Sequence, residues 1–373
     1  MKKTITFFLL AMFFTFQAFS QGILVNHTCT KIVQIPEAAI IAAKQNLHIA
    51  YGHTSHGSQL TDGMTGLVTF MNGLGHTNDL YDWNNGGTGG ALDLHDYAMD
   101  GDVGYYPDWV DNTRAYLGTV NPSTGRGTGA NQDVNVIIWS WCGQIEEKYT
   151  AGTLMSEYIN PMVQLETDYF GIKFVYMTGH LDYWDEANNK AANQVVRDFC
   201  INNNKILYDF ADIESWDPDS IYYEHAGDDC SYYSAGGDSL GNWAAEWQNS
   251  HTVDVDWYNC TSQHSEPLNA NQKAYAAWWL WAWLGGWDPA GITETENNSQ
   301  EIAVFPNPVT DNISIIVPEK SKIEILNVEG QLLKTILARG IETTVFSDDL
   351  ASGIYFIRAT TENKIITKRF IKE

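Results

Sequence analysis

Apolar positions change period several times along the chain. From Pro36 to Gln45 alanines and isoleucines follow an early proline, which predicts a helix. Leu47, Ile49 and Tyr51 then alternate with His48 and Ala50, the pattern of a strand, and after the polar turn Gly52-His53-Thr54-Ser55-His56-Gly57 the residues Leu60, Met64, Leu67, Val68, Met71 and Leu74 recur at helical spacing. The continuous apolar runs 134–139 and 172–178 predict strands buried on both faces. Each empties into polar residues, Ser140-Trp141-Cys142-Gly143-Gln144 and Gly179-His180-Leu181-Asp182, and a helical pattern follows. The first of these helices is expected to bend or restart at Asn160-Pro161. Residues 206–210 predict a further strand, and residues 270–284, with Trp278, Trp279, Trp281 and Trp283, a helix apolar nearly all round and so buried. The Gly/Asn/Asp-rich stretch 84–104 reads as loop and 216–259 as a long irregular insertion.

Strands alternating with helices predict an α/β fold, a three-layer α/β/α sandwich on a parallel sheet of flavodoxin-like kind. Ser55, Gln144 and His180 then collect beyond the carboxyl ends of strands, where open sheets of this type bind ligands. Past a Thr/Glu/Asn/Ser linker at 291–300 the pattern shifts to short alternating strands at 313–317, 322–326, 353–359 and 365–370, which predict a small carboxy-terminal β-sandwich. The expected organisation is a signal peptide at 1–20, an α/β domain at 21–290, the linker, and the sandwich at 301–373.

Charge and composition narrow the functions open to the chain. Met1–Ser20 has Lys2 and Lys3, an apolar run and a small-residue end, the layout of a secretory signal peptide, so the mature protein is expected outside the cytoplasm with no membrane span. Residues 301–373 carry 9 Lys and Arg against 10 Asp and Glu, so nearly all of the net charge of −25 lies in the first domain. That argues against nucleic acid or an anionic membrane as partner. Export permits disulfides among the five cysteines, and Cys230 and Cys260, flanking a loop-rich segment, are the expected pair. Cys142 and Cys200 read as buried thiols, with a nucleophilic Cys142 as the alternative. All 14 tryptophans fall between Trp83 and Trp287, enough to line a sugar-binding cleft or to pack a core.

Two resemblances add to this reading. The motifs Val304-Phe305-Pro306-Asn307-Pro308-Val309, Ile325-Leu326-Asn327-Val328-Glu329-Gly330-Gln331, Leu350-Ala351-Ser352-Gly353-Ile354-Tyr355 and Lys368-Arg369-Phe370-Ile371 closely resemble the type IX secretion (Por) sorting domain. The likeness implies passage through an outer membrane, the type IX machinery as partner, and release or attachment at the cell surface. In the first domain an early Ser55 and a late His264 resemble the SGNH (GDSL-like) hydrolases. By that resemblance Ser55 is the nucleophile, a glycine within 86–90 (Gly87 or Gly90) and Gln144 are oxyanion donors, and His264 is the base. His53 and His180 would shape the substrate side. The first block reads Gly52-His53-Thr54-Ser55 instead of Gly-Asp-Ser, and Thr261 stands where the family has its acid, so Asp256 or Glu266 would orient His264, or a Ser-His dyad would serve. The implied activity is a secreted ester hydrolase without cofactor, removing an acyl group such as acetyl from a small-molecule ester; the tryptophan content and export extend the expected substrates to a glycan ester.

Plainer roles compete. Ser55 or Ser58 can cap the following helix, His264 can pack under the tryptophan helix, and Gln144 can tie down its own loop. Two other functions stay open: a metal-dependent hydrolase built on His53, His56, His180 and Asp182, and a carbohydrate-binding protein without catalysis.

Overall fold

The computed structural model describes residues 22–76, 79–289 and most of 303–372. The signal segment and the linker at 291–300 lie outside the described residues. The chain divides into two compact units, Met1–Trp287 and Asp288–Glu373.

The first unit is built on a seven-stranded parallel sheet, with β1 (Leu24–Val25), β2 (His48–Gly52), β3 (Trp83–Asn84), β4 (Leu92–His95), β5 (Val136–Trp139), β6 (Lys173–Met177) and β7 (Ile206–Tyr208) in the order β1-β7-β6-β5-β2-β4-β3. Alternation along the strands feeds two cores. Ile49, Tyr51, Val136, Ile138, Val175 and Met177 enter one, shared with α1 (Glu37–Asn46), α2 (Ser58–Gly73) and α9 (Pro267–Leu284). Ala50, Ile137, Trp139, Phe174 and Tyr176 enter the other, shared with α3 (Asp108–Leu117), α5 (Asn160–Asp168) and α6 (Glu186–Asn202). Both faces are thus covered, as the unbroken apolar strands require. The remaining helices are short: α4 (Ile145–Thr150), α7 (Phe210–Ile213) and α8 (Trp243–Ser250). The bend expected at Asn160-Pro161 is a π-helical turn, Met155–Ile159, running straight into α5.

The tryptophan-rich helix is buried as expected, with Trp278 and Trp281 fully enclosed, and Trp109, Trp139, Trp141 and Trp243 are also core residues. These tryptophans serve packing, whereas Trp184 is 88% exposed.

Three expectations change. Residues 84–104 are not all loop, because Leu92 and Leu94 point into the core while Asp93 between them binds His48 Nδ1 at 2.7 Å and His95 Nε2 at 3.2 Å. The segment 216–259 contains a hairpin of β8 (Ser231–Tyr233) and β9 (Ser239–Asn242), followed by α8. Cys230 and Cys260 do not pair. All five cysteines are free, with Cys230 Sγ 3.2 Å from Ser265 Oγ and Cys260 Sγ 3.4 Å from Asn271 Nδ2, each thiol satisfied within its own pocket.

The second unit has two antiparallel sheets. One joins β10 (Ala303–Phe305), β11 (Asn312–Ile316) and β14 (Glu342–Phe346), the other β12 (Lys322–Leu326), β13 (Leu332–Leu337), β15 (Gly353–Thr360) and β16 (Ile365–Lys372). Ile313, Ile315, Ile323, Ile325, Val345, Ile357 and Phe370 form their common core. Among the described residues no helix is long and apolar enough to cross a membrane.

Candidate active site

From β2 the chain moves outward to β3 and β4 on one side, and from β5 it moves outward to β6 and β7 on the other. The reversal opens a crevice beyond the carboxyl ends of the adjacent strands β2 and β5. Two turns meet there. Ser55 lies three residues past the end of β2 and Cys142 three past the end of β5, and Ser55 Oγ is 3.2 Å from Cys142 Sγ.

His56 completes the contact. Its Nδ1 is 3.3 Å from Cys142 Sγ and its Nε2 2.9 Å from Asp228 Oδ2, so one imidazole bridges a thiol and a carboxylate. Burial alone would raise the Cys142 pKa, but the hydrogen bonds of His56, Ser55 and Thr54 and the His56 backbone N–H outweigh it and bring the thiol down to about 5. Burial likewise disfavours the His56 cation, yet the bonds to Asp228 and Cys142 raise it to about 9. Asp228 is held below the usual carboxylate range, its burial outweighed by His56. At neutral pH the site is therefore a thiolate–imidazolium–carboxylate relay. Helix α2 begins at Ser58, directly after this turn, so the positive end of its dipole adds to the thiolate's stability.

Two more histidines sandwich the bridging ring. His180 stacks on His56 with centroids 3.7 Å apart and planes at 11°, and His264 stacks at 4.5 Å and 20°. His180 Nδ1 lies 2.7 Å from the Leu181 carbonyl, which can only accept, so Nδ1 carries a proton. Its Nε2 is buried and has no hydrogen-bond partner among the described residues.

The remaining expected residues divide between the site and other duties. His53 is buried, with Nε2 2.7 Å from Asp96 Oδ1, Nδ1 2.9 Å from the Thr54 carbonyl and its ring between Tyr51 and Tyr97, which makes it a brace for the turn. Among the described residues no hydrogen bond joins Ser55 to His264, whose contact is the stack on His56. Gln144 lies with its amide against the Cys142 and Gly143 carbonyls, Nε2 donating at 3.0 and 2.6 Å, and thus ties down its own loop. Gly87 and Gly90 immediately precede β4, at the end of the sheet away from the crevice, where the neighbouring Gly86 N–H donates to Asp93. Asp256 accepts from the Thr252 N–H and lines a separate cavity with Lys31, Leu74 and Tyr275. Glu266 stands just before α9 without a side-chain capping bond and accepts from Gln248 at 3.3 Å. Asp182 closes a turn by accepting from the Trp184 N–H.

Asp228 is the member that the sequence reading missed altogether, while Cys142 entered it only as an alternative nucleophile and His56 only as a ligand of the metal-dependent alternative. Position held a signal for Cys142, since it follows β5 by the same three residues as Ser55 follows β2. Asp228 gave none, because it sits in an irregular segment.

His56, His180 and Asp228 bring ligand atoms within 4.8 Å of one another and form the one group among the described residues suited to a cation. Here Asp228 replaces the Asp182 of the sequence reading and His53 is excluded by its commitments. Both nitrogens of His56 are already engaged, one by Cys142 and the other by Asp228, and its ring stacks flat on that of His180. The arrangement suits proton transfer better than coordination.

A cavity of about 430 Å³ opens beside the relay, lined by Ser55, Asp62, Tyr97, Asp100, Thr261 and Gln263 among others. Tyr97 takes a left-handed backbone conformation (φ 51°) and holds its ring 4.0 Å from that of His53. The cavity has the size for a small substrate group.

Fold and site together define a class: a parallel α/β protein with a cysteine–histidine–aspartate relay at the switch point of its sheet. Residues 303–373 match the family described as secretion system C-terminal sorting domain, so the tail is a type IX sorting domain and the protein is secreted by that system, ending outside the cell or attached to its surface. No curated protein matches the chain. Among solved structures, the chain is similar to PorZ, a surface component of the type IX secretion system of Porphyromonas gingivalis, at 21% identity over 19% of this chain and 11% of that one, with a TM-score of 0.19. It also resembles endo-β-1,4-mannanases of Thermotoga petrophila (10% identity, 65% of this chain and 48% of that one, TM-score 0.18) and Cellulomonas fimi (10%, 76% and 54%, 0.20). The chain thus spans between about a tenth and about half of these structures' lengths. Such low TM-scores carry no argument about the first unit, and its likeness to SGNH hydrolases gains no support from these comparisons.

Proposed function

We propose that the first unit is a thiol-dependent acyl hydrolase, an esterase in which Cys142 is the nucleophile, His56 the acid and base, and Asp228 the group that orients the imidazole. The observation that carries this reading is the unbroken hydrogen-bonded series Cys142–His56–Asp228 at the carboxyl ends of β2 and β5. A nucleophile needs an adjacent base, which Cys142 has and Ser55 lacks. In the first half-reaction the Cys142 thiolate attacks the ester carbonyl and a C–S bond forms. The C–O bond then breaks as His56 gives its Nδ1 proton to the departing alcohol. In the second half-reaction neutral His56 takes a proton from water, the resulting hydroxide adds to the thioester, and the C–S bond breaks to restore the thiolate. Ser55 and Thr54 hold the thiolate in place, and the adjoining cavity receives the departing alcohol.

Hydrolysis of p-nitrophenyl acetate by the mature protein tests the reading. Cys142→Ala is expected to abolish turnover, while Ser55→Ala retains part of it. Full loss in Ser55→Ala beside substantial activity in Cys142→Ala would return the nucleophile to Ser55. Activity is expected to survive EDTA, because the relay needs no cation; a loss restored by added zinc would favour the metal-dependent alternative.

A further inference from the structure

Beneath the relay lies a charged pair with no access to solvent. Lys273 of α9 and Glu214, just past α7, are 0% and 1% exposed at their side chains, with Nζ 2.7 Å from Oε2. Breaking such a pair leaves a buried charge uncompensated, yet an apolar replacement of both residues often matches or exceeds its stability. Stability alone is therefore a weak reason for its presence. Its other polar side-chain contacts lead to the site loops. Glu214 Oε1 accepts from the backbone N–H of Leu181, the residue after His180. Lys273 Nζ donates to Gln59 Oε1, and Gln59 Nε2 donates to the carbonyl of Gln263, the residue before His264. Asn269 Nδ2 lies 3.5 Å from Glu214 Oε2 and 2.7 Å from the hydroxyl of Ser265, the residue after His264. Ser265 Oγ in turn meets Cys230 Sγ at 3.2 Å, two residues beyond Asp228.

We propose that the Lys273–Glu214 pair is a positioning hub, setting the loops of His180, His264 and Asp228 against His56 so that the imidazole stays aimed at Cys142. Resting on the proposed function, this adds two positioning residues that never touch substrate. Lys273 has further anchors: it lies 3.8 Å from the centroid of the Phe210 ring, and the Tyr208 hydroxyl donates to its backbone carbonyl at 2.7 Å. Its Nζ thus reaches Glu214 and Gln59 from a fixed base. The hub joins α2, α9, the end of β6 and the 214 turn, four separate pieces of chain that carry or flank the site.

The test uses the full mature protein and needs no knowledge of the natural substrate. The rate of iodoacetamide alkylation at Cys142 is followed by peptide mass spectrometry from pH 4 to 10, beside a thermal melt. Lys273→Met combined with Glu214→Gln removes both charges and keeps an acceptor for the Leu181 N–H. The double variant is expected to melt within a few degrees of the parent, while alkylation at pH 6 falls at least about ten-fold and its pH midpoint moves up toward that of an ordinary thiol. An unchanged alkylation profile in a folded double variant would overturn the hub. Should that variant fail to fold, Gln59→Met severs the Gln263 arm alone; a smaller shift in the same direction is expected, and no shift would overturn the proposal. An ordinary thiol profile in the unmodified protein would instead defeat the reading of the relay itself, so the two failures are distinguishable.

Discussion

At the residue scale the protein turns on one imidazole with both nitrogens in use. Nδ1 faces a thiolate and Nε2 a carboxylate, so proton transfer from Cys142 to His56 creates a cation that Asp228 stabilises. Asp228→Ala is expected to lower the rate of ester hydrolysis by roughly 10- to 100-fold, and Asp228→Asn by less, because an amide oxygen can still orient the ring. Equal losses in the two variants would show that the carboxylate's charge matters more than its aim. The pH dependence follows from opposite shifts. The Cys142 thiol, lowered to about 5, becomes a nucleophile as pH rises through that value, and His56, raised to about 9, loses the proton needed by the leaving group as pH rises through that one. Activity is therefore expected to be bell-shaped with limbs near those values, and a single rise centred near pH 8.5 would contradict the ion pair. The sequence made Ser55 visible because serine at a strand-to-helix turn has a known chemistry. It left Cys142 as an alternative, because a cysteine in an apolar setting reads as a packing residue until its neighbours are seen.

At the element scale the periodic segments were legible. β2, β5 and β6, the helices after them and α9 fall within a few residues of expectation, since each has apolar residues committed to one or both cores. β4 was obscured by the adjoining glycine-rich run, and β1, only two residues long, had too little pattern to register. The insertion that delivers Asp228 is held by turns and side-chain contacts, which leave no period in sequence. One close approach does constrain the sequence strongly. A Cβ on Gly63 of α2 would lie 2.1 Å from the Ala270 carbonyl oxygen of α9, a backbone atom that cannot yield without moving the helix. Gly63→Ala is expected to destabilise the protein by about 1–3 kcal/mol, read as a lower thermal midpoint. An unchanged melt would mean that α2 and α9 are less tightly engaged.

For the whole molecule, the chemistry and the address are separate inheritances. The sorting tail was legible from its motifs because type IX machinery reads that short region, whereas the relay joins residues 56, 142 and 228, brought together by topology alone. Removing residues 303–373 is expected to stop delivery to the surface or the medium, with the truncated chain collecting inside the outer membrane of a type IX-competent host. Normal surface delivery of the truncated chain would contradict the role of the tail. The acidity of the first unit suits a protein working outside the cell.

The identity of the nucleophile can be read directly during turnover. Acid quenching of the mature protein with p-nitrophenyl acetate, followed by peptide mass spectrometry, should find the acetyl group on the peptide containing Cys142, removable by neutral hydroxylamine as a thioester is. An acetyl group on Ser55, with Cys142 unmodified, would contradict the account.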